Sequence, residues 1–144
     1  LMRAEALIET DQLAEARIII NDIRQRAKNS VDKHIAYAKD QCEIALYPES
    51  YFKDKETARK CLRWERRLEL AMENGRYFDL RRWGLASKTL NAYFATEEND
   101  VYDGQTYATY LKDAHYTAGK NEFYPIPYNQ LYYVPGLYKQ NKNY

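Results

Sequence analysis

Cysteine is nearly missing from this chain, with two residues in 144. Cys42 and Cys61 are too few for a disulfide framework, and they lack metal-ligand spacing. Both fall on apolar positions of predicted helices, which favours buried free thiols. Histidine is equally scarce, and His34 lies off the apolar stripe of its segment with no second histidine near it in sequence. The residues therefore imply no metal site and no cofactor. An excess of either charge is also absent: 22 Lys and Arg against 21 Asp and Glu leave a net +1. That balance removes any global electrostatic case for nucleic acid or an anionic membrane. No apolar run approaches the length of a membrane-spanning helix. There is no Ser-His-Asp grouping and no phosphate-binding glycine loop. A signal peptide is missing too, because the chain opens LMRAEAL already inside a helical pattern. The expectation is the C-terminal part of a longer protein, with any export signal or lipid anchor outside this fragment.

What remains is one domain's worth of chain, long enough to bury a core. Residues 1–28 read as a helical hairpin, with Leu1, Ala4 and Leu7–Ile8 on one face of its first helix. Asp11-Gln12 makes the turn, and Leu13, Ala16, Ile19–Ile20, Ile23 and Ala27 follow at helical spacing. Small residues at Ala4, Ala6, Ala14 and Ala16 let the two helices approach closely. The pattern looks like one tetratricopeptide-type repeat, and a lone repeat leaves an apolar face for missing chain to cover.

Further helices fill 29–95. Asn29-Ser30 can cap a third helix over 31–46, with a stripe of Val31, Ile35, Ala38, Cys42 and Ala45–Leu46. Asp54 is a plausible N-cap for a fourth, which carries Cys61, Trp64, Leu68, Ala71 and Met72 inward and stops at a left-handed Asn74-Gly75. A fifth starts near Arg76 and aligns Tyr77, Leu80, Trp83, Leu90 and Phe94, with Gly84 as a kink or close crossing. Over 96–144 periodicity dissolves. Gly104, Gly119 and Gly136 mark turns, and Pro125 with Pro127 forces an extended path. Such a tail has to pack by its aromatics, and tyrosine is abundant: 15 against 4 phenylalanines, mostly after position 92.

Charge concentrates in WERRLELAMENGRYFDLRRWG, residues 64–84. A glycosidase reading needs two carboxylates facing across a cleft, one with a raised pKa. Glu65 and Glu69 instead share a helix face, and abundant arginines hold both ionised. A phosphate-binding reading fails because interleaved acids cancel the field. The structural reading is preferred. Glu65, Arg66, Glu69, Arg76, Asp79 and Arg82 form an ion network, in which guanidinium groups bridge carboxylates and helix-end carbonyls.

This stretch resembles the ERR-x-EL-x-x-E-G-x-R-x-x-DL-x-RWG signature of the SusD/RagB family, with Glu73 followed by Asn74 and then Gly75, an added residue that lengthens the turn. The tail YPIPYNQLYYVPGLYKQN resembles the family's closing PIP…P-x-L-x-QN motif. Both stand in the family's order, and with the hairpin they span the whole chain. The resemblance implies an all-α, tetratricopeptide-like protein with an irregular, aromatic-rich tail, of which 1–144 is the C-terminal region. It implies a surface-exposed lipoprotein of the Gram-negative outer membrane that binds oligosaccharide, or sometimes peptide, without catalysis. The partner it implies is a TonB-dependent, SusC-like transporter.

Sugar recognition needs exposed aromatic rings beside amides and carboxylates. Two loops offer that: Tyr47–Tyr51 with Glu49, and Asp100–Tyr110 with Tyr102, Asp103, Gln105 and Tyr107. The candidate glycan-binding residues are thus Tyr47, Tyr51, Tyr102 and Tyr107, set against the reading that these tyrosines only pack the chain. Trp64 and Trp83, on predicted core faces, are expected as buried anchors. The alternative function is a tetratricopeptide-like protein-interaction scaffold without a sugar ligand.

Overall fold

The computed structural model describes residues 1–34, 42–99, 101–102, 105–106 and 109–144. The regular structure of these residues is helical apart from one small hairpin, so the fold class is all-α. The chain divides into two compact units, Leu1–Asn74 and Gly75–Tyr144.

In the first unit, α1 (Met2–Glu9) and α2 (Leu13–His34) form the expected hairpin. α1 ends in a Schellman motif: the Gln12 N–H reaches the Leu7 carbonyl, the Asp11 N–H reaches that of Ile8, and Asp11 is left-handed at φ 62°. Ala4, Ile8, Ala16 and Ile20 are fully buried, and Ala6 and Ala14 are exposed, so one alanine per helix makes the close approach. α3 (Lys55–Glu69) and a 3-10 turn at Glu49–Phe52 cover the hairpin, adding Phe52, Ala58, Cys61 and Leu62 to the core. Fully burying Ile8, Ile20 and Leu62 contributes about 1.5–3 kcal/mol each. Met2 and Ile18 stay exposed.

Three expectations change here. α2 runs through Asn29-Ser30 to His34, so no cap forms there. Residues 42–48 are not helical, and 35–41 lie outside the described residues. With no helix to turn it inward, Cys42 is exposed, and Cys61 alone is buried. Asp54 does cap α3, accepting from the Thr57 N–H at 2.8 Å, but the inward face of α3 is Ala58, Cys61, Leu62 and Glu65. Trp64 and Leu68 are half exposed, and Ala71 and Met72 lie exposed beyond the helix end. Trp64 stands about 110° around the helix from the centre of the buried stripe.

In the second unit, α4 (Arg76–Arg82) and α5 (Ala86–Glu97) are separate helices rather than one kinked helix. Gly84 at φ 67° closes α4 in a second Schellman motif, with Leu85 N–H to Leu80 O at 2.8 Å and Gly84 N–H to Arg81 O at 3.1 Å. Leu80, Ala86 and Tyr116 form the core, flanked by Tyr77, Leu85, Leu90 and Phe94. At the preceding turn the left-handed residues are Met72 and Asn74, whereas Gly75 has φ −76°. Asn74 therefore stands where the signature has glycine, and after glycine asparagine is among the residues that best tolerate that conformation.

The tail forms a two-residue hairpin, β1 (Val101–Tyr102) with β2 (Gln105–Thr106), a 3-10 turn at Thr109–Leu111, and α6 (Tyr128–Tyr133). From Thr109 on, Tyr116 is the one buried tyrosine. Beyond the packing of Tyr116 in the core, side-chain amides hold the tail. Asn91 clasps the Tyr116 backbone, accepting from its N–H at 2.7 Å and donating to its carbonyl at 3.0 Å. Gln140 does the same to Ile126 at 2.8 and 3.0 Å. Asn141 donates to the Tyr124 carbonyl at 2.5 Å, so the closing Gln-Asn pins the Pro-flanked segment.

Two predictions follow from this packing. Gly84→Ala should cost about 1 kcal/mol in urea unfolding, and Gly75→Ala should stay within about 0.5 kcal/mol; equal effects would contradict the turn geometry. Burial also pushes the Cys61 thiol pKa up. An aromatic disulfide reagent should titrate Cys42 at once and Cys61 only after unfolding, and simultaneous reaction of both would contradict it.

Candidate functional site

Within the first unit, α2, α3 and the 43–47 segment enclose a half-open groove of about 500 Å³. Its apolar walls are Ala27, Ile44, Trp64 and Leu68, and its polar walls are Arg24, Glu43, Glu65 and Glu69, with Tyr47 between them. Trp64 is 51% exposed, and the Arg67 guanidinium lies 5.4 Å from its ring centroid.

The floor is a buried ion pair. Glu65 is 4% exposed, and its Oε2 accepts from Arg24 Nη1 at 2.8 Å. Arg24 Nε also donates to the Ala45 carbonyl at 2.6 Å. The same guanidinium sits 4.5 Å from the Tyr47 ring centroid. One turn along α3, Glu69 accepts from Arg26. The non-helical 43–47 segment is fixed by Asn21, which accepts from the Tyr47 N–H at 2.9 Å and donates to its carbonyl at 3.1 Å. Burial raises the pKa of the Tyr47 hydroxyl, keeping it a neutral donor and acceptor.

Of the tyrosines expected to bind glycan, Tyr47 lines this groove half-buried. Tyr51 is exposed, its ring 6.3 Å from that of Tyr47. Tyr102 lies in β1, and Tyr107 lies outside the described residues. Tyr51 is not among the residues that line the groove. Trp64 is no buried anchor, because the stripe that enters the core is centred on Glu65 instead. Trp83 is partly buried, with the Arg76 and Arg82 guanidinium groups 6.0 and 4.9 Å from its ring centroid.

The charges of 64–84 divide between the units. Glu65 and Glu69 pair with α2 arginines outside that stretch. Arg66 donates to Met2 Sδ at 3.4 Å. In the second unit, Asp79 is buried and accepts from Arg82 at 2.9 Å. Sequence spacing could not nominate Arg24, which is 41 residues from its partner; the signal present was an arginine four residues after Ile20 and three before Ala27, at the edge of the apolar stripe of α2. A second cavity, about 460 Å³, is lined by Phe78, Arg81, Arg82, Glu122 and Phe123. Among the described residues no group of His, Cys, Asp or Glu is placed to hold a metal ion.

Breaking the floor pair leaves an uncompensated buried charge. Arg24→Ala and Glu65→Ala should each cost about 3–5 kcal/mol in chemical unfolding. The double variant should cost far less than their sum, and additive losses would contradict the pairing.

A comparison with curated proteins finds no match. The family model described as the SusD family matches residues 1–144, and the features beneath its two motifs are on view here: the α3–turn–α4 charges and the Gln-Asn clasp of the tail. This chain belongs to the SusD family.

Proposed function

We propose that the chain is the C-terminal region of a surface-exposed outer-membrane lipoprotein that captures oligosaccharide and delivers it to a TonB-dependent, SusC-like transporter. Family membership implies nutrient or glycan binding at the cell surface. The observation that carries the reading to this chain is Trp64, half exposed on the wall of a groove that also holds Tyr47 and several carboxylates. Aromatic faces take the C–H faces of a pyranose, and carboxylates accept its hydroxyls. The reading is non-catalytic. Glu65 and Glu69 lie on one face of α3, each bound to an arginine, rather than facing each other across a cleft as a glycosidase pair requires.

Calorimetry of the full-length protein against a panel of oligosaccharides tests this. Trp64→Ala should weaken binding about tenfold with an unchanged melting curve. Undiminished affinity would overturn the groove as the ligand site.

A further inference from the structure

Independently of any sugar site, we infer that the cavity of the second unit is a docking socket for a partner protein, taking an aromatic side chain that has an acidic neighbour. Phe78, Arg81 and Arg82 stand three and four residues apart and so share one face of α4, while Glu122 and Phe123 supply the rest of the lining. The DL-x-RWG signature leaves positions 78 and 81 unspecified, so it accounts for neither residue.

The lining is built in advance. The Thr117 N–H donates to Asn121 Oδ1 and the Gly119 N–H to Glu122 Oε2, both at 2.7 Å. The Tyr77 hydroxyl donates to the Asn121 carbonyl at 2.6 Å, and the Tyr144 hydroxyl to that of Phe123 at 2.7 Å. With the 117–123 turn fixed in this way, a docking segment has little chain to order. A small-molecule site encloses most of its ligand. This cavity of about 460 Å³ has phenyl rings that are 62% and 52% exposed, and Tyr124, next in the chain, is 88% exposed. Clustered exposed aromatics of this kind mark protein–protein surfaces, where one ring of the partner fills the pocket. Phe78 and Phe123 offer that ring offset or edge-on contacts.

Charge selects the neighbour. Arg82 is held by Asp79, its Nε and Nη2 both 2.9 Å from Oδ1. Glu122 spends Oε2 on Gly119, leaving Oε1 to accept a main-chain N–H of the segment. Arg81 is exposed, 5.3 Å from the Phe123 ring centroid, with no carboxylate partner among the described residues. A carboxylate beside the docked ring therefore meets a guanidinium that can receive it in bidentate geometry.

Panning a random heptapeptide library on the full-length protein tests this. Enriched peptides should carry an aromatic residue beside Asp or Glu, and fluorescence anisotropy then reads their affinity. Phe78→Ala should weaken binding about tenfold, with an unchanged melting curve. Arg81→Gln should weaken the acidic peptide about fivefold and leave its amide counterpart unaffected, the coupling that a direct pair requires. Enrichment of nothing, or of sequences without the aromatic–acidic pair, overturns the inference. So does an unchanged affinity in Phe78→Ala, or equal losses for both peptides in Arg81→Gln. A peptide displaced by oligosaccharide would belong to the sugar site, against the proposal. Binding to phosphatidylglycerol vesicles that Arg81→Gln abolishes, with no peptide enriched, would make the occupant an anionic membrane instead.

Discussion

The buried contact between Arg24 and Glu65 sets the arrangement of the first unit. α3 carries enough apolar residues to bury either of two faces, one through Cys61, Trp64 and Leu68, the other through Ala58, Cys61 and Leu62. The second face is the one buried, although it places a carboxylate at its centre. That arrangement is tolerable only because α2 supplies a guanidinium at 2.8 Å, since an isolated ionised carboxylate in the interior costs many kcal/mol. Such a pair adds little net stability, and what it contributes here is orientation. It rolls α3 so that Trp64 and Leu68 face outward, and together with Asn21 it holds the 43–47 segment opposite them. The groove is the space that results.

Irregular chain is held by one recurring device. Asn21, Asn91 and Gln140 each present a side-chain amide to the backbone of one distant residue, accepting its N–H and donating to its carbonyl. Each amide imitates a neighbouring β-strand for a single residue. Segments with no regular ladder thereby satisfy backbone groups that burial would otherwise penalise. The device suits the closing motif well. Ile126 has proline on either side, so it is the one residue of that triplet with an N–H to give, and Gln140 takes it.

Local patterns were legible in the sequence where local physics decides them. The hairpin, its Asp11 turn, the Asp54 cap and the end of helix before the tail all depend on contacts within a few residues. Prediction failed where a distant partner decided the outcome. Periodicity alone ranks Trp64 above Glu65 for burial, and nothing near residue 65 reveals Arg24. The same limit hid the Tyr47 clasp, because Asn21 reads as an ordinary polar residue on the outer side of a helix. Asn74 misled differently: it looked like an added residue before Gly75, yet it takes the left-handed conformation itself. The candidate tyrosines were chosen for loop position and chemistry. Tyr47 lines the groove, and the site's other aromatic wall came from a residue assigned to the core.

The orientation of α3 is the point on which the groove and its aromatic wall both depend. Tryptophan fluorescence of the Trp83→Phe variant of this 144-residue chain reads it directly, because Trp64 is then its sole tryptophan. A ring half exposed beside solvent should emit at long wavelength and be quenched readily by acrylamide. Blue-shifted emission protected from acrylamide would place Trp64 in the core and contradict the account.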